Sequence, residues 1–136
     1  MRPIPLGAKG TFALIVEPEH LASQFKDTIL PPVLATPVMI LLMENAALNA
    51  VKPFIEPGES VVGTGVNVLH LAATPVGHRV IAEAEVTKLD GRRISFTVSA
   101  RDETEVIGTG THERVVVDLA RLGARLAAKR QGNANT

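Results

Sequence analysis

The chain of 136 residues has no cysteine, no tryptophan and no tyrosine, and its aromatic content is four phenylalanines. Without cysteine there is no disulfide framework, no thiolate nucleophile and no zinc–thiolate site. That absence fits a reducing compartment, and a cytoplasmic location is the expectation. So few aromatic rings supply no base-stacking platform for nucleic acid. Charge of one sign is also missing: fourteen acids balance fourteen bases, for a formal net charge of +0. Broad attraction to nucleic acid or to anionic membranes is therefore not expected. The longest apolar run, Val38 to Met43, is far too short to span a bilayer. The opening Met1-Arg2-Pro3-Ile4-Pro5-Leu6-Gly7 lacks the apolar segment of a signal peptide. Four histidines at spacings unlike H-x-x-x-H make a metal site unexpected. No P-loop, dinucleotide fingerprint or G-x-S-x-G elbow is present.

What the chain does have is one isolated charge. Glu44 is the only charged residue between Ala35 and Val51, in a segment whose apolar residues surround most of a 3.6-residue period. Such a helix is expected to be buried. An ionised carboxylate inside it costs roughly several kcal/mol unless hydrogen bonds or a cation compensate. Thr36-Pro37 reads as the helix start, with Thr36 as N-cap and proline at the first helical position, and the helix should end near Pro53.

The length suits a single domain over 1–136. Gly10 to Glu17 reads as a first strand, with Phe12, Leu14 and Val16 on one face. His20 to Val33 is irregular and closes with Leu30-Pro31-Pro32, a semi-rigid loop. Beyond the turn Glu56-Pro57-Gly58-Glu59, four strand-like runs follow: Val61 to Thr74, His78 to Leu89, Arg93 to Arg101 and Glu105 to Val117. Asp90-Gly91 is a hairpin signal. Leu119 to Lys129 reads as a terminal helix, with a frayed tail from about 130 to 136. The expected fold is α+β: an antiparallel four-strand meander plus the first strand, curled around one long buried helix. One sheet cannot cover such a helix completely, so self-association is expected.

Five positions have both a structural and a chemical reading. Glu44 is either a tied structural carboxylate or a reactive one. Thr36 is foremost a helix cap, though a hydroxyl there also lies beside free amides that favour developing negative charge. Eight positions and just over two turns separate it from Glu44, so the two share a face. His70 falls on the apolar face of its strand with Val66, Val68 and Ala72. It is a satisfied core histidine or, with Glu44 on the facing helix, half of an acid/base pair. Gly63 marks a bulge or a close backbone approach to a ligand. Alternation places His112 and Arg114 on one face; Arg114 would neutralise Glu44, bind phosphate, or lie exposed.

Several separate stretches together resemble the hot-dog-fold thioesterases, and more closely the fluoroacetyl-CoA thioesterase family. They are Val33-Leu34-Ala35-Thr36, Leu42-Met43-Glu44, Glu56-Pro57-Gly58-Glu59, Gly63-Thr64, His70-Leu71-Ala72-Ala73-Thr74-Pro75, Gly91-Arg92-Arg93 and Gly110-Thr111-His112-Glu113-Arg114. The resemblance covers about Val33 to Val117. It implies a hot-dog fold, a homodimer with sites near its interface, and hydrolysis of an acyl-CoA thioester with no cofactor beyond the CoA of the substrate. It also implies catalytic roles for Thr36, Glu44 and His70, with Gly63 close to the thioester and Arg114 supporting the site. One departure stands out: fluoroacetyl-specific members carry a phenylalanine gate in the lid, where this chain has Leu30 and a shorter lid. A broader or different short acyl group is the expectation. A non-catalytic acyl-CoA-binding or sensor module on the same fold is the competing class, and it would not need the three polar residues.

Overall fold

The computed structural model describes residues 1–132. Five strands form one antiparallel sheet: β1 (Lys9–Ile15), β2 (Glu59–His70), β3 (Arg79–Asp90), β4 (Arg93–Arg101) and β5 (Val106–Asp118). Their spatial order is β1-β3-β4-β5-β2. Helix α2 (Thr36–Val51) lies in the curl of the sheet, preceded by the short α1 (Ala22–Phe25), and α3 (Leu119–Arg130) closes the described chain.

The long helix packs as its composition dictates. Val38, Met39, Leu42, Met43, Ala46, Ala47, Ala50 and Val51 are buried against Val80, Ala82, Ala84, Ile94, Phe96 and Val98 of the sheet. Small residues permit close approach at its far end. A Cβ added at Gly10 of β1 would run into the backbone of Ala46 and Ala50, so this glycine lets strand and helix touch backbone to backbone. Burial is not complete on every side. Leu41 is 50% exposed, and Glu44, Asn45 and Leu48 are half-buried, leaving one uncovered stripe along the helix.

Two expectations about the strands need correction. The four later strands do not form a meander: only β3, β4 and β5 do, while β2 pairs with β5 and β1 with β3. The Asp90-Gly91 signal gives a tight hairpin, Asp90 opposite Arg93 with Gly91 at φ 59°. Residues 71–78 are too long for such a turn. They cross between β2 and β3, pinned where Leu34 N–H donates to the Thr74 carbonyl (2.9 Å) and the Thr74 hydroxyl donates to Asp102 (2.9 Å). Strand β2 therefore ends at His70 rather than Thr74 and occupies an edge of the sheet. The irregular stretch 20–33 contains a short helix, α1, tied back by a bridge between Leu21 and Leu34. Arg130 is helical rather than frayed, and the Gln131 and Gly132 amides cap α3 through Ala127 and Lys129 carbonyls. The rest of the expected tail, 133–136, lies outside the described residues.

Candidate active site

Thr36 is not the cap of α2. Ala35 is the N-cap, extended at φ −70° and ψ 140°, and no side chain caps this end. Thr36 enters as the first helical residue, its hydroxyl turned to the end of β2, where it lies 2.8 Å from Nδ1 of His70. The entry is set before the helix: the chain bends at Pro32-Val33, where the Val33 N–H donates to the Pro31 carbonyl (2.9 Å), and then runs through the Leu34 bridge to the extended Ala35. Whichever atom donates, His70 Nε2 is left buried with no partner among the described residues. Burial holds the His70 pKa below its usual value, opposed by the Ala72 backbone. The imidazole is thus neutral near pH 7, with one ring nitrogen free for a ligand. Thr36 and His70 line a pocket of about 380 Å³ with Lys26, Leu30 and Ala72, so Leu30 sits where the lid meets the two polar groups.

Glu44 belongs to a second cluster. Its Oε2 would stand 3.3 Å from a Cβ built on Gly63, and Cε1 of His112 would stand 3.4 Å from the same point. Gly63 thus faces the carboxylate and the second imidazole, with no side chain between. The glycine is exposed on the edge strand, at a register shift between Gly63 and Gly65. The expected strand irregularity therefore occurs at Gly63.

Arg114 makes no direct ion pair with Glu44 among the described residues, and it is not exposed. It is buried, and its guanidinium donates to the Val61 carbonyl (2.9 Å) and to the backbone carbonyl of Glu44 (3.0 Å). It grips the helix backbone, and its head is not free for phosphate. Burial lowers its pKa, and the negative charge of Glu44 opposes the shift. An arginine remains charged regardless, so Glu44 lies in a positive field without a direct ion pair among the described residues.

His112 was not among the sequence candidates. It is buried, and its Nδ1 donates to the Gly65 carbonyl at 2.8 Å, since a carbonyl only accepts. The neutral ring then presents Nε2 as a lone pair, buried and unpartnered among the described residues. It stacks on Phe96 with centroids 5.7 Å apart. Burial first, and then the Arg114 charge, lower its pKa; the Gly65 bond and the Glu44 and Glu113 charges oppose this. Its signal in the sequence was its place two residues before Arg114 on the helix-facing side of β5.

The structure brings Thr36 to His70 and Glu44 to Gly63, but it does not bring the pairs together. Glu44 does not line the Thr36–His70 pocket. Along α2 the two parts are about 12 Å apart at 1.5 Å per residue. Along β2, Gly63 and His70 are separated by about 23 Å at 3.3 Å per residue. The expected acid/base contact between Glu44 and His70 is absent within one chain.

The sequence model of the fluoroacetyl-CoA-specific thioesterases matches residues 16–120. A fluoroacetyl-CoA thioesterase from Streptantibioticus cattleyicolor is 46% identical over 99 residues, 73% of this chain and 71% of that protein. The solved structure of the fluoroacetyl-CoA thioesterase FlK superposes with a TM-score of 0.87 at 38% identity, covering 93% of this chain and 98% of the other. A hypothetical protein from Thermus thermophilus, a thioesterase superfamily member, superposes with a TM-score of 0.89 at 34% identity, covering 96% of each chain.

Proposed function

Since the chain belongs to the fluoroacetyl-CoA thioesterase family and is a thioester hydrolase of hot-dog fold, we propose that it cleaves short-chain acyl-CoA esters at a site shared by two copies of the chain. The observation that carries this reading is the 2.8 Å contact of Thr36 with His70 in one pocket, with Glu44 held apart at the open edge of β2. Strand β2 has a neighbour on one side only. A twelve-residue edge strand with exposed Val66 and Leu69 invites pairing with another strand. Antiparallel pairing of β2 with its own copy, centred between Val66 and Asn67, sets Gly63 of one protomer opposite His70 of its partner. Glu44 of one protomer then faces Thr36 and His70 of its partner, and the uncovered stripe on α2 meets the interface. The homodimer expected from helix coverage thereby acquires a chemical reason.

In this arrangement the free Nε2 of His70 polarises the thioester carbonyl, oriented by Thr36 through Nδ1. Glu44 supplies the negative group. It either removes a proton from water as the water oxygen attacks the carbonyl carbon, or attacks that carbon itself to give a mixed anhydride. In both routes the carbon–sulfur bond breaks and CoA leaves as the thiol after taking up a proton; water attack gives the free acid directly, whereas the mixed anhydride is then hydrolysed by water at the Glu44 carbonyl, releasing the free acid and restoring the carboxylate. Repeated turnover in heavy-oxygen water labels the Glu44 carboxylate only on the second route. The Gly63 backbone is the proposed approach for the reacting carbonyl, since no side chain shields the carboxylate there. No group beyond the CoA of the substrate is required for these steps.

Leu30 in the pocket wall, in place of an aromatic gate, supports a short acyl group without restriction to fluoroacetyl. A CoA-ester substrate and a chain without cysteine support a cytoplasmic setting. The test is thiol release from a panel of short acyl-CoA esters, fluoroacetyl-CoA included, by wild type and Glu44→Ala. Turnover of several esters, lost in a folded Glu44→Ala, is expected. No turnover of any ester, with the esters still bound, would replace hydrolysis by simple binding.

A further inference from the structure

We infer that the arginine-lined cleft between α3 and the end of β5 holds the 3′-phosphorylated ADP group of CoA, an assignment that rests on the acyl-CoA reading above. The cleft has a volume of about 350 Å³, and Arg92, Arg121 and Arg125 line it together with Asp118 and Leu122. Arg121 and Arg125 are one helical turn apart on α3, a helix whose sequence from Leu119 to Arg130 contains no acid. Like charges at that spacing repel, and neither arginine has an ion-pair partner among the described residues. Arg92 comes from the β3–β4 turn. It is steered by the Val116 carbonyl (3.4 Å) and by Glu59 (3.3 Å). Glu59 also holds the N-terminal ammonium at 2.8 Å, which Glu56 pairs at 3.2 Å, so Arg92 is the ion-paired arginine of the cleft. The one acid in the wall, Asp118, is turned to the Arg121 amide at 2.9 Å as the cap of α3. Two arginines without an ion-pair partner among the described residues, Arg121 and Arg125, thus share the cleft with the Glu59-paired Arg92 and one capping carboxylate, the chemistry that recognises phosphates.

The position fits the same ligand. Gly63 pairs with Arg114 and Glu59 with Asp118, so the cleft begins four residues along the sheet from the Glu44 carboxylate, about 13 Å at 3.3 Å per residue. From sulfur to phosphate ester the pantetheine arm has about twelve bonds, the backbone of about four residues, and reaches about 14 Å extended. A thioester beside Gly63 therefore brings the phosphates of CoA to the arginines. The half-buried Leu122 offers an apolar surface for the adenine.

The test compares acetyl-CoA with acetyl-pantetheine, which has the same thioester and arm but no nucleotide. In the exposed pair Arg121→Gln/Arg125→Gln, KM for acetyl-CoA should rise about tenfold with kcat within about twofold. Neither constant should change for acetyl-pantetheine. Arg121→Lys/Arg125→Lys, which keeps the charge, should recover most of the loss. Unchanged KM for acetyl-CoA, or equal losses on both substrates, would overturn the assignment. If wild type hydrolyses neither ester, the thioesterase reading fails by itself. Calorimetry with 3′-phosphoadenosine 5′-diphosphate then decides the cleft: binding weakened about tenfold by the glutamine pair supports it, and no binding to wild type overturns it.

Discussion

Gly63→Ala places one methyl group where the geometry around Glu44 is tightest. The new Cβ would lie 3.3 Å from Glu44 Oε2 and 3.4 Å from His112 Cε1, closer than an ordinary carbon contact of about 3.5–4.0 Å. Both neighbours must yield by a few tenths of an ångström. His112 is held by the Gly65 carbonyl and by its stack on Phe96, so the carboxylate, at the end of a flexible side chain, moves instead. The fold loses little, because alanine is no worse than glycine in a strand. Stability should change by less than about 1 kcal/mol, a Tm shift of at most roughly 4 °C. Catalysis is more sensitive, since a misplacement of about 1 Å can cost about a hundredfold. We expect kcat for thiol release from an acyl-CoA ester to fall about tenfold to a hundredfold. Gly65→Ala is the internal control. Its Cβ meets only Glu113 Cβ, at 3.9 Å, and kcat should hold. Equal damage in the two variants, or none in Gly63→Ala, would refute a reacting carboxylate beside Gly63.

Three further outcomes follow from the same geometry. Because Ala35 rather than Thr36 caps α2, Thr36→Val should spare the roughly 1 kcal/mol that a lost cap costs, yet lower kcat; urea unfolding and thiol release read the two effects separately. Arg114→Met leaves the buried Val61 and Glu44 carbonyls without their donor and should cost about 2–4 kcal/mol in urea unfolding, and Arg114→Lys, lacking the fork, should recover only part. The pKa values of His70 and His112 are lowered by folding, so the unfolded chain binds more protons just below the ordinary histidine value. Their stabilising contribution is full above pH about 6.5 and is lost as pH falls through the folded values; Tm should drop between pH 7.5 and pH 5, and a flat or rising profile would contradict the burial of the two rings.

Much of the candidate site was legible because unusual residues stood in ordinary surroundings. A lone acid in an apolar helix and a histidine on an apolar strand face are conspicuous in a single chain. Thr36 was misread because Ser and Thr before a proline at a helix start usually cap it. Here Ala35 turns the chain one residue earlier and frees the hydroxyl for His70. His112 escaped notice since alternation describes a face but not which ring nitrogen lacks a partner. The edge position of β2 was hidden for a topological reason. Consecutive strands usually pair, and only the anchoring of Thr74 by Leu34 and Asp102 shows that 71–78 is a crossing. That same edge separates Glu44 from His70 within one chain, which no local pattern reveals.

Mixing two inactive variants tests the shared site most directly. Glu44→Ala and His70→Ala, each inactive alone, are unfolded together, refolded and assayed for thiol release. A site built from Glu44 of one protomer and His70 of its partner regains one intact copy in each mixed dimer. Activity should return to about a quarter of wild type, from half of the dimers with one of two sites each. A mixture as inactive as its parents, with mixed dimers shown to form, would contradict the shared site and return both residues to a single chain.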